Sequence, residues 1–327
     1  MDMFCTTTYR EMTDNFLREN IIMMLEEIMC LFDMPLTELT VKAERLRRER
    51  TDNKLDICTI CNARSGLCTE DCKFCTQSVH YDTGTPEYSM MSINEIMENA
   101  FKARENGSKH FSIVTSGHSL NAEEVDYVAT AVKEIKSKLD IEVCASLGCL
   151  NYAQLTVLKK SGLNRYHHNI ETSREYFPRI VSTHTFDDRI VTIHNAVEAG
   201  LSTCCGGIIG MGESRRDRAS MALTLQELHV DSVPINILMP LAGTPLADTP
   251  PISISEVLKT IAVFRIVMPD KTIKIAAGRE SFLKDFQGMA FMSGANGMLI
   301  GGYLTQRGRS VEEDKKMIDE IYQIWNL

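Results

Sequence analysis

Three cysteines lie close together near residue 70, in the stretch Cys68-Thr69-Glu70-Asp71-Cys72-Lys73-Phe74-Cys75. Their spacing is C-x3-C-x2-C, and an aromatic residue directly precedes the third cysteine. Three thiolates on one short loop can hold three corners of a four-iron iron–sulfur cluster. The fourth iron then has no protein ligand and is open to a substrate-like molecule. The pattern therefore predicts a redox cluster that takes part in chemistry.

The cysteines also allow two other interpretations. Cys58-x2-Cys61 and Cys72-x2-Cys75 form two C-x2-C pairs, as in a zinc ribbon, but this use leaves Cys68 without a role. A disulfide framework needs an oxidising compartment, and the N-terminus shows no basic region ahead of an apolar run, so no secretory signal is expected. We therefore expect reduced cysteines, a cytoplasmic location and a metal or redox role.

The composition is that of a globular protein with a large core. The chain has 327 residues, of which 44% are hydrophobic and 24% are charged. The net charge of -9 argues against an extended surface for nucleic acid. Residues 21–32 are apolar but are interrupted by Glu26 and Glu27, and the segment is too short to span a bilayer. We expect neither nucleic acid nor a membrane as a partner.

Short β-rich segments alternate with amphipathic helical segments along most of the chain. The predicted strands are 56–61, 110–115, 141–146, 165–170, 202–209, 232–238, 272–276 and 297–300. The predicted helices are 93–105, 122–139, 152–161, 187–199, 216–228, 254–267, 280–292 and 311–325, several of which begin after a capping residue such as Ser92, Asn121 or Asn151. Eight successive β–α units predict an α/β fold, a parallel (β/α)8 barrel of the TIM type.

The barrel interpretation fixes the domain organisation and the position of the site. Residues 1–50 predict an N-terminal helical extension, and residues 51–327 predict the barrel domain. The rival fold is an open doubly wound sheet, which needs a glycine-rich phosphate loop where the cysteine motif stands. Active sites of (β/α)8 barrels lie at the C-terminal ends of the strands. The cysteine loop follows the first strand, so it falls at that face.

Several predicted strands carry polar or thiol residues that are costly to bury without partners. They are Cys58, His110, Ser112, Cys144, His167, Asn169, Glu171, Cys204, Cys205 and Asn236, with Arg279 just after the seventh strand. Each of them alone fits a packed core as well as a site. Their common placement on neighbouring strands favours a shared cavity.

The cysteine motif with its aromatic residue resembles the signature of the radical S-adenosylmethionine (SAM) enzymes. Segments 166–173, 206–213, 231–236, 243–246 and 277–280 resemble one family within that superfamily, biotin synthase. The similarity runs from about residue 58 to residue 302. It implies a SAM barrel with two iron–sulfur clusters that inserts sulfur into dethiobiotin to form biotin. It also implies a flavodoxin- or ferredoxin-type reductant and a homodimer.

The resemblance assigns roles to individual residues around SAM. Cys68, Cys72 and Cys75 match the ligands of the [4Fe–4S] cluster that binds SAM, with Phe74 beside it. Asn169 and Glu171 match residues that hold the SAM ribose, although the family often has aspartate at the second position. Arg189 matches a residue near the SAM carboxylate, and Gly206 and Ile208 match residues near the adenine. Asn169 and Asn236 match residues that contact the substrate. His167 stands at a substrate position that is often asparagine in the family.

The second cluster is where this chain departs from the family. The family holds a [2Fe–2S] cluster with three cysteines and one arginine, and Cys144, Cys204 and Arg279 match three of these positions. The fourth position is Ser112, a poor replacement for a thiolate. Strand alternation directs Cys58 to the lumen and its neighbour Cys61 away from it. We therefore expect Cys58, Cys144 and Cys204, with Arg279, to hold a second cluster, either two-iron or four-iron with an extra sulfide.

Other functions and other cysteines are left open by the sequence. A related barrel enzyme, such as a hydrogenase maturase or a methylornithine synthase, is one alternative. An iron–sulfur electron carrier is another, although a carrier needs neither a barrel of this size nor polar residues in its lumen. We interpret Cys5 and Cys30, in the N-terminal helices, as core or surface thiols. Cys149 and Cys205 fit a bystander as well as a ligand, and Cys61, Cys149 and Cys205 are the alternatives to Cys58 in the second cluster.

Overall fold

Nine short strands form one closed parallel sheet in the computed structural model, which describes residues 23–305 and 308–326. The strands are β1 (Asp56–Arg64), β2 (His110–Thr115), β3 (Glu142–Ser146), β4 (Arg165–His167), β5 (Ser202–Cys204), β6 (Gly207–Ile209), β7 (Ser232–Ile237), β8 (Thr272–Ile275) and β9 (Gly297–Leu299). Neighbours follow the order β5-β4-β3-β2-β1-β9-β8-β7-β6, and the pairing of Cys204 with Ser232 closes the barrel. Because β5 and β6 are two parts of one predicted strand, the predicted eight-stranded barrel is confirmed.

Helices surround the barrel. They are α1 (Leu25–Asp33), α2 (Leu36–Arg50), α3 (Ile93–Glu105), α4 (Ala122–Lys138), α5 (Tyr152–Lys160), α6 (Phe186–Glu198), α7 (Arg215–Glu227), α8 (Ile254–Val267), α9 (Arg279–Leu283), α10 (Gln287–Met292) and α11 (Val311–Trp325). Ser92, Asn121 and Asn151 accept a hydrogen bond from the third helical residue of α3, α4 and α5, as predicted. These caps fix where each helix begins and so how much chain is left for the loops at the C-terminal face.

Helices α1 and α2 pack on the outside of the barrel, against α7 and α8. Phe32 is fully buried there, and Lys259 of α8 donates to its carbonyl oxygen at 2.7 Å. The Arg47 guanidinium of α2 lies 3.7 Å from the ring centroid of Trp325, a cation–π contact that ties α2 to α11. The predicted helical extension is thus present from Leu25 onward. Its first 22 residues, with Cys5, lie outside the described residues, and the domain boundary at residue 50 stays a prediction.

Two predicted elements are interrupted in the structure. The predicted strand 202–209 breaks between β5 and β6, because the Asn169 side chain accepts from the Gly206 N–H at 3.0 Å and replaces a strand-to-strand hydrogen bond. The predicted helix 280–292 divides into α9, a 3-10 turn and α10 at Lys284, whose φ of 47° does not continue a helix. The first break matters for function, since it brings Asn169 to the wall of the lumen.

Within residues 23–305 and 308–326, no helix combines the length and the apolarity that crossing a bilayer requires.

Candidate active site

A cavity of about 360 Å³ lies inside the barrel and opens toward the C-terminal ends of the strands. The predicted site residues on its wall are Cys58, Phe74, Cys75, Ser112, Cys144, His167, Asn169, Glu171, Cys204, Ile208 and Asn236. Cys68, Cys72, Arg189 and Gly206 lie behind this wall in contact with its members. His110 and Cys205 are fully buried away from this wall, and Arg279 is placed elsewhere.

The cysteine loop is held at the mouth of the cavity. A tight turn with positive φ at Gly66 (75°) and Leu67 (52°) leads into it. The Cys68 N–H donates to the carbonyl oxygen of Gln77 at 3.0 Å, which closes the loop on itself. Asp71 accepts from the backbone N–H of Ser182 at 2.8 Å and fastens the loop to the segment before α6. The loop is therefore positioned by hydrogen bonds before any cluster is added.

The three thiols of this loop lie near one another, and their environment suits a bound cation. Burial raises the pKa of the Cys72 thiol, and the neighbouring Cys75 and Cys68 raise it further. Burial also raises the pKa of Cys75 to about 11. Thiolates this close repel each other in a dry site, so they ionise together only when iron balances their charge. The loop fits three corners of a four-iron cluster.

A hydrogen-bonded chain runs from the cysteine loop to the cavity wall. Glu70, His118 and His184 bring three potential metal-binding atoms within 4.8 Å of one another. However, Arg189 Nε donates to His184 Nε2 at 3.1 Å, so the His184 proton sits on Nδ1 and faces Glu70. That tautomer leaves Nδ1 without a lone pair for a metal. The chain instead continues from Arg189 Nη1 to the carbonyl oxygen of Asn169 at 2.9 Å.

Glu171 presents a buried carboxylate at the end of β4. Its φ is 67°, a left-handed conformation that costs a non-glycine residue about 1–3 kcal/mol and is concentrated at functional sites. Asn169 Nδ2 donates to Glu171 Oε2 at 3.3 Å, and Arg189 Nη1 lies 3.5 Å from Oε1. Burial raises the pKa of Glu171, although Arg189 opposes the shift. Strain and a paired charge hold this carboxylate against the cavity.

The glycines of the interrupted strand are required by backbone packing. A Cβ at Gly206 would lie 2.0 Å from the Pro234 carbonyl oxygen, and one at Gly207 would lie 2.4 Å from that of Glu171. These contacts give a reason for both glycines that does not involve a ligand. The Ile208 side chain, which follows them, does reach the cavity.

Three further thiols line the lower part of the cavity. Cys58 shares the cavity wall with Ile60, whereas the Cys61 Sγ packs outside the barrel at 3.9 Å from the Met91 Sδ, as strand alternation predicts. Burial raises the pKa of Cys144 well above its usual range, and Cys58 and Cys204 add to this shift. Cys58, Cys144 and Cys204 therefore form a second set of three thiols close enough to act on one another.

Cys204 is the exception among the buried thiols. Burial favours its protonated form, but His167, Lys274 and Arg165 together outweigh burial and lower the pKa of Cys204 to about 6. Burial also disfavours the imidazolium of His167, yet the Cys204 thiolate raises the pKa of His167. The two residues are paired across β4 and β5, and each favours the charged form of the other.

This pair makes a testable difference between the lumen thiols. In cluster-free protein at pH 7, iodoacetamide should alkylate Cys204 before Cys58 or Cys144, because only Cys204 is mostly thiolate. Its rate should fall to half near pH 6 and continue to fall at lower pH as the thiolate is protonated. His167→Ala should move this midpoint to higher pH, whereas His194→Ala, an exposed histidine of α6, should not. Peptide mass spectrometry measures the rates, and faster labelling of Cys58 would contradict the assignment.

The base of the lumen carries charged residues that the sequence interpretation missed. Asp56 Oδ1 lies 2.6 Å from Lys274 Nζ, and Asp56 Oδ2 lies 2.9 Å from His110 Nε2. Arg165 Nη1 is 3.8 Å from the same carboxylate. Among the described residues, this buried nitrogen has no hydrogen-bond partner. Three thiols beside a cation with an unsatisfied N–H fit an anionic iron–sulfur cluster.

Arg279 does not belong to this group. It is the first residue of α9, and its side chain points away from the lumen to the buried Asp314 of α11, with Nη2 2.6 Å from Oδ2. Nη1 donates to Gln287 at 2.5 Å. This corrects the interpretation of Arg279 as a ligand of the second cluster: its guanidinium is occupied in a buried ion pair, and the cations that reach the lumen are Arg165 and Lys274.

Asn236 reaches the cavity with part of its hydrogen-bonding capacity still available. Its Nδ2 donates to the Gly207 carbonyl oxygen at 3.2 Å, and its Oδ1 accepts from the Ala277 N–H at 3.1 Å. A carboxamide has two N–H groups and two oxygen lone pairs. One N–H and one lone pair therefore remain for a ligand, and the two backbone contacts fix the direction in which they point.

Comparisons with known proteins agree with this architecture. Residues 62–225 match the radical SAM superfamily, and residues 234–321 match the biotin and thiamin synthesis associated domain. Two solved structures share the fold: methylornithine synthase (TM-score 0.81, 18% identity, 94% of this chain and 96% of that chain) and the [FeFe]-hydrogenase maturase HydG (TM-score 0.82, 17% identity, 96% and 74%).

Curated relatives are much more similar in sequence. Biotin synthase of Thermotoga petrophila is 47% identical over 92% of this chain and 99% of its own length. Biotin synthase of Pelotomaculum thermopropionicum is 46% identical over 88% of this chain and 89% of its own length. That of Thermotoga neapolitana is 48% identical over 84% of this chain and 98% of its own length. Together with the radical SAM match and the two sets of three thiols in one barrel, these similarities show that the chain belongs to the biotin synthase family of radical SAM enzymes.

Proposed function

We propose that this chain converts dethiobiotin to biotin inside the barrel, with SAM as cosubstrate and a second iron–sulfur cluster as the source of sulfur. The observation that carries the proposal is the placement of two sets of three thiols along one cavity. Cys75 of the first set lines the mouth, with Cys68 and Cys72 behind it on the cysteine loop, and the second set lines the cavity below it on β1, β3 and β5. A substrate bound between them is within reach of both.

The mouth of the cavity serves SAM in this proposal. Cys68, Cys72 and Cys75 would hold a four-iron cluster, which would supply the electron for reductive cleavage of SAM. The Glu171 carboxylate, together with Asn169, accepts hydrogen bonds from the ribose hydroxyls. The Arg189 guanidinium, a planar fork that suits carboxylates, orients Glu171 and the SAM carboxylate.

The lower thiols serve the second cluster. Cys58, Cys144 and Cys204 are soft ligands suited to iron, and Ser112, which neighbours Cys144 across β2 and β3, is left as a bystander. Three thiolates leave an additional coordination position, so we propose a four-iron cluster with an extra sulfide in place of the [2Fe–2S] form. Held by these three residues, such a cluster would be the source of the sulfur atom that enters dethiobiotin.

The substrate lies between the clusters, held by polar groups of the wall. The free N–H and lone pair of Asn236 match the acceptor and donor of a cyclic urea, and Asn169 lies on the neighbouring wall. His167 is paired with Cys204, so its role is more closely tied to the thiol layer than to the substrate. A flavodoxin- or ferredoxin-type reductant, a homodimer and a cytoplasmic location complete the proposal.

Replacing Asn236 by alanine tests the substrate assignment. Leaving a ureido group unpaired in a closed lumen costs about 1–3 kcal/mol, so dethiobiotin affinity should fall roughly 5- to 150-fold while SAM affinity is kept. Isothermal titration under anaerobic conditions measures both. Asn195→Ala, which removes a half-buried amide of α6 bound to the Leu150 carbonyl oxygen, is the matched control. Unchanged dethiobiotin affinity in Asn236→Ala would remove this residue from the site.

The proposed reaction is tested directly by anaerobic incubation with SAM, a reductant and dethiobiotin, followed by mass spectrometry. We expect both biotin and 5′-deoxyadenosine. Production of 5′-deoxyadenosine without biotin would point to another radical SAM reaction. The absence of both products from cluster-loaded protein would overturn the proposal.

A further inference from the structure

Two cations share one carboxylate at the base of the lumen. Lys274 is a buried cation, Arg165 is a second cation whose side chain is only 12% exposed, and Asp56, also 12% exposed, is the carboxylate beside them. Asp56 is engaged more closely by Lys274, at 2.6 Å, and by His110, at 2.9 Å, than by Arg165, at 3.8 Å. Arg165 is therefore the cation least satisfied by this carboxylate.

The hydrogen bonds of Arg165 direct one end of its guanidinium toward the thiols. Its Nε donates to the Ser202 Oγ at 3.1 Å on the neighbouring β5, which fixes the plane of the group. Its Nη1 is buried and, in the part of the chain that the structure describes, lacks a hydrogen-bond partner. An unpaired buried guanidinium N–H is costly, so a protein keeps one only where another group accepts its hydrogen bond.

The neighbours of Arg165 show what that acceptor is. Arg165 pairs in register with Cys144 on β3, and its side chain lines the same cavity as Cys58, Cys144 and Cys204. Sulfur atoms of iron–sulfur clusters accept hydrogen bonds, and these bonds, with the local charge, set the reduction potential.

We propose that Arg165 donates its unpaired N–H to the second iron–sulfur cluster and, with Lys274, balances that cluster's negative charge. Arg165 is thus a positioning residue that retains the cluster and raises its reduction potential. This inference rests on the proposed second cluster, and it adds to the three thiolates a residue on β4 that the family resemblance did not suggest.

The test compares cluster-loaded parent protein with Arg165→Met, which keeps the apolar stem and removes the charge and the donors. We expect the first cluster to be retained. Iron of the second cluster should be held about 10–100-fold less tightly against a chelator, the range for loss of an outer-shell hydrogen bond, and its midpoint potential should fall. Arg165→Lys keeps the charge and should restore most of the potential. Arg174→Met, which breaks an exposed ion pair with Asp187, should match the parent.

The outcomes separate this inference from the proposed function. Parent-like iron retention and midpoint potential in Arg165→Met would overturn the inference, even if the variant made less biotin. If Arg165→Met loses the first cluster as well and so fails to fold, Arg165→Gln decides on the same two measurements, with a lowered potential expected. A parent protein that holds only the first cluster would overturn both the inference and the proposed second cluster.

Discussion

Replacing Cys72 by alanine is expected to abolish SAM cleavage. Only two thiolates then remain on the cysteine loop, and two ligands do not hold an open-corner four-iron cluster. The fold should survive, because the loop is fastened by the bond between Asp71 and Ser182 and closed by that between Cys68 and Gln77, neither of which involves the Cys72 thiol. Liquid chromatography of 5′-deoxyadenosine, together with an iron count, measures the effect.

The control for this change is Cys61→Ala. Cys61 is as buried as Cys72, but its sulfur packs outside the barrel against Met91. The Cys61→Ala protein should lose some stability, and it should keep its iron and its SAM cleavage. If Cys72→Ala still formed 5′-deoxyadenosine at the parent rate, the cysteine loop would not hold the cluster that cleaves SAM.

Cys58→Ser is expected to stop biotin formation and to spare SAM cleavage. A serine hydroxyl is a hard, weakly acidic group and a poor substitute for a thiolate on iron, so the second cluster loses one of its three protein ligands. The cysteine loop is untouched, and 5′-deoxyadenosine should still form. Iron and sulfide should fall by the content of one cluster. Loss of biotin with retention of 5′-deoxyadenosine is the result expected of a variant that affects only the lower thiols.

Ser112→Ala and Cys61→Ser complete this experiment. Ser112 lines the same cavity beside Cys144, and its hydroxyl is not needed if Cys58 is the third thiolate. Cys61→Ser changes a thiol three residues from Cys58 that faces the other side of β1. Both variants should keep their iron and their biotin yield. Full iron content and full biotin yield in Cys58→Ser would show that Cys58 is a packing thiol.

Much of the barrel could be predicted because its signals are local. Strand and helix periods, and the caps at Ser92, Asn121 and Asn151, are properties of short segments. The interruption between β5 and β6 could not be predicted, because it depends on Asn169, 37 residues before Gly206, reaching its backbone N–H. The break at Lys284 likewise depends on how α9 and α10 pack on the barrel.

Part of the candidate site could likewise be predicted from local signals, and part of it could not. The spacing of the cysteine loop and the alternation of β1 suffice to direct Cys58 inward and Cys61 outward. The position of Arg279 was misjudged because a glycine with φ of 82° at Gly278 starts a new helix and turns the next side chain outward. Arg165 and Lys274 were overlooked, although a charged residue inside a predicted barrel strand is itself a signal of a polar lumen.

The charged residues at the base of the lumen also could not be predicted from sequence spacing. Asp56, His110 and Lys274 lie on three different strands, and their side chains meet only when the barrel closes. Asp56→Asn would leave Lys274, which is almost fully buried, without its counter-charge. Removal of one partner from a buried pair costs about 3–5 kcal/mol, because the other charge is left uncompensated, so Asp56→Asn should be strongly destabilising.

The central claim is that one barrel holds two iron–sulfur clusters, each on three thiolates. Mössbauer spectroscopy of anaerobically purified, iron-57-labelled protein, with an iron and sulfide count per chain, tests it most directly. The account predicts two distinct four-iron clusters with more sulfide than iron, and the loss of one of them in Cys58→Ser. A single four-iron cluster in the parent protein, with the same spectrum in Cys58→Ser, would contradict it.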